Sequence, residues 1–206
     1  LGDVWHNGAD VASGTTLATA GVPAAGLGAV RLVGLLGEGG MAQVYLGHHD
    51  GLGRPVAVKR LRRHLANVEQ ARTRFRAEAD MARAVRHDHI VDILDMVTDP
   101  AGDTYLVMEH LAGEPLSARL SRAGALPLSE TLAIALQIAD AMVAVHRRGI
   151  VHRDLKTENV LVGLDESGET LAKLIDFGVA EILSGPDGTI ECPTVVGTPE
   201  SMSPEQ

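Results

Sequence analysis

A single cysteine, Cys192, stands in 206 residues, which excludes an internal disulfide framework and fits a reducing, cytosolic compartment. Cations are also scarce: 18 Lys plus Arg face 27 Asp plus Glu, for a formal charge of −9. A nucleic-acid backbone or an anionic lipid surface is therefore a poor partner, and a bound polyanion needs a local cationic pocket. No run of about eighteen uninterrupted apolar residues occurs, and the start lacks a basic segment followed by an apolar core. Neither a membrane span nor a signal peptide is expected. The absence of any Gly-Lys pair removes a phosphate loop of the Walker type. With Leu1 first and Gln206 last, the sequence reads as a piece of a longer protein, cytoplasmic unless a segment outside it supplies a membrane anchor.

What is present points to a globular chain, since 45% apolar and 22% charged residues suffice for one good core or two small lobes. Residues 1–28 are rich in Gly, Ala and Thr, show neither helical nor strand periodicity, and read as a flexible leader. From Val30 the pattern alternates through Leu32 and Leu36, breaks at Gly37-Glu38-Gly39-Gly40-Met41-Ala42-Gln43, and resumes at Val44-Tyr45-Leu46. This predicts a hairpin with a glycine-rich tip, where the missing Cβ atoms either let backbone N–H groups approach phosphate oxygens or simply ease a turn. A dinucleotide-binding loop would run from strand into helix, and the strand-forming residues after the glycines exclude it.

Alternation in Val56-Ala57-Val58-Lys59 puts Ala57 and Lys59 on one face of a strand and the valines on the other. Lys59 is either an edge lysine in solvent or a buried cation needing an anion. The next segment carries Val68, Ala71, Phe75, Ala82 and Val85 on one helical stripe, with Glu78 on that stripe. A carboxylate on an inward face is costly unless paired, so either Lys59 is its partner or Glu78 sits at the margin and reaches water. Ile90–Val97 and Thr104–Met108 are two further strands about a turn at Asp99-Pro100-Ala101-Gly102, completing an expected five-stranded antiparallel sheet with one helix. Glu109 to Gly113 breaks the pattern as a hinge between a first lobe, 29–109, and a second, 110–206.

A short helix near Leu116–Ser121 leads to a long one over Ser129–His146, capped by Ser129, ended at Gly149, and buried along Leu132, Leu136, Ala139 and Val143. The stretch His152-Arg153-Asp154-Leu155-Lys156-Thr157-Glu158-Asn159 then gathers an acid, a cation and an amide before the apolar Val160-Leu161-Val162. A polar loop held between two buried segments is a place for chemistry. His48-His49 and His87-x-His89 lack a third ligand at a telling spacing, so zinc is not expected.

In chain order, Gly37-x-Gly39-x-x-Ala42-x-Val44, Val56-Ala57-Val58-Lys59, Glu78, His152-Arg153-Asp154-Leu155-Lys156-x-x-Asn159, Asp176-Phe177-Gly178, Gly197-Thr198-Pro199 and Ser203-Pro204-Glu205 resemble the motifs of Ser/Thr protein kinases, most of all the eukaryotic-type kinases of bacteria. The resemblance covers Val30 to Gln206. It implies an α+β, bilobal kinase-like fold with a partial, mostly helical second lobe, ATP and Mg²⁺ as cofactors, and a protein substrate with a Ser or Thr acceptor. Lys59, tied to Glu78, would hold the α- and β-phosphates under the backbone of Gly37, Gly39 and Gly40. Asp154 would orient the substrate hydroxyl and take its proton, Lys156 would sit beside the transferring group, and Asn159 and Asp176 would supply oxygens to Mg²⁺. The adenine pocket is implied at Leu36, Val44, Ala57, Met108, the backbone of Glu109 and Leu111, and Leu161. Lys156 and Thr198 are similar to Ser/Thr rather than Tyr kinases, and Val179 goes with a threonine acceptor.

Arg153 resembles the arginine of kinases switched on by a loop phosphate, with Thr189 and Thr194 as candidate sites and a kinase dimer as the implied activating partner. Several positions depart from the family pattern. Ala42 stands at the third glycine, Thr157 replaces a proline, Cys192 stands where relatives often carry the phosphorylated threonine, and Ser201 replaces a tyrosine. The family's partner for Glu205 and the acid that braces the catalytic loop both fall beyond Gln206. The piece by itself is expected to be poorly stable and weakly active. A non-catalytic nucleotide-binding module is the alternative reading.

Overall fold

The alternating segments form the expected strands in a computed structural model, which describes residues 27–66, 68–177, 181, 182 and 202. Thr189, Cys192, Thr194, Ser201, the segment from Gly178 to Ala180, and the Gly197-Thr198-Pro199 and Ser203-Pro204-Glu205 motifs lie outside the described residues, as do residues 1–26 of the expected leader. By contact the chain forms two units, Leu1–Phe75 with Asp92–Glu114, and Arg76–Val91 with Pro115–Gln206. This partition differs from a simple division at residues 109 and 110, because 76–91 joins the later part of the chain.

The first unit is an antiparallel sheet of β1 (Val30–Glu38), β2 (Ala42–His49), β3 (Arg54–Leu61), β4 (Ile93–Thr98) and β5 (Thr104–Glu109), in the order β1-β2-β3-β5-β4. One face is an apolar core in which Val56 and Val58 pack with Val30, Tyr45, Tyr105 and Val107. Burying each such side chain is worth roughly 1.5–3 kcal/mol. Leu27 belongs to this core at 1% exposure, a correction to the leader boundary, and Gly28 turns the chain there with φ 62°. A leucine among small residues has no periodicity to mark it, so only packing reveals it.

The core is closed at one end by polar contacts. Buried Arg60 pairs with Asp103 and lies 5.5 Å over the Tyr105 ring. Tyr105 Oη donates to Asp99 Oδ2 at 3.1 Å, and Asp99 Oδ1 accepts from the Ala101 and Asp103 amides at 2.9 Å each. These bonds shape the turn predicted at Asp99 to Gly102, where Gly102 takes φ 89°.

Two short elements, helix α1 (Arg63–Ala66) and strand β6 (Gly113–Pro115), complete the part of the chain before the later helices. Helix α2 (Glu69–Ala84) crosses from the first unit to the second. Its buried residues are Ala71, Phe75, Glu78, Ala79 and Ala82, with Val85 just beyond. Val68 precedes the helix and is exposed, so it does not share the stripe.

In the second unit, helices α3 (Leu116–Ala123) and α4 (Leu128–Arg147) precede a short strand β7 (Ile150–Val151) and the hairpin of β8 (Val160–Leu164) and β9 (Thr170–Leu174). A two-residue strand, β10 (Glu181–Ile182), pairs with β7. Ile90 and Val91 are not part of β4, as expected from sequence. They bridge to β9 instead: Val91 N–H donates to Leu174 O at 2.8 Å, and Leu174 N–H donates to His89 O at 2.9 Å. His87 and His89 serve this packing, His87 Nε2 facing Asp140 Oδ2 at 3.3 Å and His89 Nδ1 donating to Ala172 O at 3.0 Å.

Helix α4 reverses the expected face. Ile134, Ala141 and Val145 are buried, whereas Leu132, Leu136 and Val143 are exposed, Leu136 at 70%. Both stripes repeat at helical spacing, so period alone cannot say which one turns inward. The polar Gln137 decides it: its Nε2 donates to Thr170 O and its Oε1 accepts from Ala172 N–H, both at 2.7 Å. Pro127, not Ser129, occupies the N-cap, and the carbonyl of Pro127 accepts from Thr131 N–H at 2.9 Å. Gly149, at φ 69°, ends the helix as expected. By length and composition α4 is also apolar enough to cross a membrane, a property the sequence reading did not assign. Its hydrogen bonds to β9 make it part of the second unit's fold.

Candidate active site

The polar loop begins where β7 ends and closes where a single 3-10 turn, Thr157–Asn159, delivers the chain into β8. Ile150 on one side and Val160, Leu161 and Val162 on the other are buried, so both ends of the loop are fixed by apolar packing. Between them the backbone is forced into an uncommon shape. Arg153 has φ 62°, the only positive value at a non-glycine position among the described residues. That conformation costs roughly 1–3 kcal/mol and persists where the surroundings impose it.

The loop's side chains hold one another. Asn159, nearly buried, donates from Nδ2 to Asp154 O at 2.8 Å and to Asp154 Oδ2 at 3.1 Å. Lys156 Nζ lies 2.9 Å from the same Oδ2. Asp154 N–H donates to His152 O at 2.9 Å, and the Asn159 amide donates to Lys156 O at 3.0 Å. An acid, a cation and an amide are thus locked together before any ligand arrives.

The strand bearing the second acid is tied to this loop. Leu174 pairs with Val160 in the hairpin, and Ile175 N–H donates to Asn159 O at 3.1 Å, so Asp176 follows directly from a residue bonded to the loop. The next residue, Phe177, is buried, with its ring centroid 5.1 Å from that of His152. Burial holds the His152 imidazole below its usual pKa, with the Asp176 and Asp154 carboxylates pulling the other way. A neutral imidazole suits its role as a packing surface for Phe177.

The oxygen donors suit a hard divalent cation. With Asn159 Nδ2 committed to Asp154, the Oδ1 atom is the end of that amide turned away from Asp154. That oxygen and the Asp176 carboxylate are donors of the type taken by Mg²⁺, an ion that keeps several waters and takes phosphate oxygens as further ligands. Among the described residues no group of three or more His, Cys, Asp or Glu side chains forms a closed metal cage.

A second cluster lies in the first unit, on the face of the sheet opposite the apolar core. Antiparallel register places Val44 opposite Lys59 and Lys59 opposite Leu106, and in the next row Leu46 opposite Ala57 and Ala57 opposite Met108. Residues paired this way share a face, so Val44, Ala57, Lys59 and Met108 lie on one face, the one to which alternation assigned Ala57 and Lys59. Leu36 is buried at the irregularity between the Leu35–Tyr45 and Gly37–Val44 pairs, and Gly37, Gly39 and Gly40 lead into and form the tip. Glu109 closes β5, where its N–H donates to Asp92 O and its Oε1 accepts from Asp92 N–H, both at 2.9 Å. Leu111 follows in the segment before β6.

Of the expected site residues, Leu36, Gly37, Gly39, Gly40, Val44, Ala57, Lys59, Met108, Glu109 and Leu111 belong to the first unit. Glu78, Asp154, Lys156, Asn159, Leu161 and Asp176 belong to the second. Glu78 is 7% exposed on α2, so its carboxylate is inward-facing rather than marginal. Sequence reasoning missed Gln137, which pins β9. The signal was there: a lone amide flanked by the apolar Ile134 and Ala141 one turn away on either side.

Comparison with known proteins covers most of the chain. A family model described as "Protein kinase domain" matches residues 30–206. The chain is 41% identical over 179 residues to the serine/threonine-protein kinase Pkn1 of Myxococcus xanthus, covering 87% of this chain and 25% of that protein. It is 37% identical over 175 residues to the serine/threonine-protein kinase PkaB of Streptomyces coelicolor, covering 83% and 41% respectively. Among solved structures, the kinase domain of Mycobacterium tuberculosis PknI matches with a TM-score of 0.64 and 30% identity, over 78% of this chain and 64% of that one. The chain therefore spans well under half the length of these curated relatives.

Proposed function

This chain belongs to the protein kinase family, and from that premise we propose that it carries the nucleotide-binding and catalytic residues of a serine/threonine kinase using ATP and Mg²⁺. The observation that carries the reading is the locked Asp154–Lys156–Asn159 cluster, with Asp176 next in the chain to Ile175, whose N–H donates to Asn159 O. Phosphoryl transfer needs little covalent chemistry from the protein, chiefly positioning and neutralisation of phosphate charge.

In this reading Asp154 accepts a hydrogen bond from the substrate Ser or Thr hydroxyl and takes its proton. The hydroxyl oxygen forms a bond to the γ-phosphorus as the bond from that phosphorus to the β-phosphate oxygen breaks, and ADP leaves. Lys156 balances charge on the transferring group. Lys59, tied to Glu78, holds the α- and β-phosphates, and the backbone of Gly37, Gly39 and Gly40 covers them. Asn159 and Asp176 hold Mg²⁺, which supplies charge neutralisation on the phosphates when bound. Leu36, Val44, Ala57, Met108 and Leu161 enclose the adenine, and the backbone of Glu109 and Leu111 meets its edge. Val179 points to threonine as acceptor, Thr189 and Thr194 to regulation by phosphorylation, and the low count of basic residues to a protein rather than nucleic-acid partner.

Transfer of labelled phosphate from ATP to a generic protein tests the reading. A protein that carries this chain within a longer sequence is the parent for the test: it is expected to label, and its Asp154→Asn and Lys59→Met variants are each expected to lose labelling by about two orders of magnitude or more. Variants that label as well as the parent would remove these residues from the chemistry.

A further inference from the structure

The glycine-rich tip is held by a side chain that the motifs do not include. Arg62, the residue after β3, donates from Nε to Gly39 O at 2.8 Å and from Nη2 to Glu38 Oε2 at 3.2 Å. Its own backbone N–H donates to Met41 O at 3.0 Å. Gln43 Nε2 donates to the other oxygen of Glu38 at 2.9 Å, and Tyr45 Oη donates to Gln43 Oε1 at 3.0 Å. Fully buried Tyr45 thus roots a chain of hydrogen bonds that runs through Gln43 and Glu38 to Arg62 and ends on the tip's own carbonyl. The turn is closed as well by Gly39 N–H donating to Ala42 O at 2.8 Å.

Direction follows from peptide geometry. No described peptide bond is cis, and in a trans peptide the N–H points opposite to the C=O. With Gly39 O drawn onto Arg62, the N–H of Gly40, in the same peptide plane, is turned away from that cation. A Cβ at Gly40 would meet nothing within 4 Å, so the space beside this amide is open. The bonds therefore fix the orientation of an amide at the tip that a glycine pair would otherwise leave free to rotate.

We propose that Arg62, latched to Glu38, is a positioning residue that presets the glycine-rich tip for a nucleotide's phosphates. The inference rests on the nucleotide-binding reading given above. Preorganisation removes an ordering cost from binding, so the latch strengthens affinity for the phosphate-bearing ligand and not for the nucleoside. Neither residue touches the ligand. Lysine at position 62 keeps the charge but cannot donate from two separated nitrogens in a fixed plane, so it restores only part of the effect.

Calorimetric titration of the full chain with MgATP and, separately, with adenosine tests the idea. Arg62→Gln is expected to weaken MgATP binding about tenfold while adenosine affinity stays within about twofold. Arg62→Lys is expected to fall between parent and Arg62→Gln. Glu38→Gln, a substitution at a partly exposed site that leaves the backbone bonds intact, is expected to weaken MgATP in the same selective way by a smaller factor. Unchanged MgATP affinity in both Arg62→Gln and Glu38→Gln overturns the latch, as does an equal loss for MgATP and adenosine. A parent chain that binds neither ligand overturns the nucleotide-binding reading itself, and the latch with it.

Discussion

Replacing Gln137 by Met removes two hydrogen bonds while keeping the length and much of the volume of the side chain. The amide of Gln137 acts as a substitute strand for β9, donating to Thr170 O and accepting from Ala172 N–H at 2.7 Å each. Ala172 is fully buried, so its orphaned N–H finds no water, whereas half-buried Thr170 recovers part of its hydration. A buried polar group left without a partner costs about 1–3 kcal/mol, and the two groups together about 2–4 kcal/mol. Set against a typical total of about 5–15 kcal/mol, that is a large share of the stability of a domain. Urea unfolding should show a lower midpoint at unchanged slope. Hydrogen exchange gives the local readout: the Ala172 amide should lose about tenfold or more of its protection relative to the Leu174 amide, which donates to His89 O and not to Gln137. An Ala172 amide as protected in the variant as in the parent would refute the reasoning.

The face of α4 makes a second test. Leu136→Asp should change stability by less than about 0.5 kcal/mol, since it lies on the exposed stripe, while Ile134→Ala should cost about 2–4 kcal/mol in the same urea assay; the reverse order would restore the stripe expected from sequence. Tyr105 makes a third, because burial, opposed by the Arg60 cation and reinforced by Asp99, pushes its phenol up to about 12. The unfolded phenol titrates near about 10, so the fold prefers the neutral form, and its stabilising effect is complete below about pH 10 and lost as the pH climbs toward 12. Alkaline melting curves should show this decline in the parent and a smaller one in Tyr105→Phe; equal declines would contradict it.

The first unit was legible because strands announce themselves by alternation. Val56 and Val58 could only share one face and Ala57 and Lys59 the other, and the register confirmed both rows. The polar loop from His152 to Asn159 was legible because its residue types are rare together and its flanks are apolar. Other features were hidden for physical reasons. In α4 both sides are apolar, so the period fixed the helix but not its phase. Ser129 has the chemistry of a cap, yet the helix starts earlier, after Pro127, whose φ of −54° and ψ of 145° set the entry. Ile90 has the residue type of a strand and does form a β-bridge, but an isolated one whose partner, Leu174, lies far along the chain. The Arg62 contact with Glu38 is likewise a tertiary fact, spanning 24 positions that no local pattern records.

The contacts of His89 to Val91 with β9 also govern the order in which the chain can fold as it is made. His89 and Ala172 are 83 positions apart, and ribosomes add about 5–20 residues per second, so about 4–17 s separate the synthesis of one from the other. The first unit has no such delay, since Asp92–Glu114 completes it long before β9 exists. For those seconds the sheet can be finished while His89, Ile90 and Val91 wait for the strand they bond to. The interval of greatest exposure to aggregation and proteolysis thus falls between two parts of one chain, and holdase chaperones would find their target at the unpaired segment from His89 to Val91.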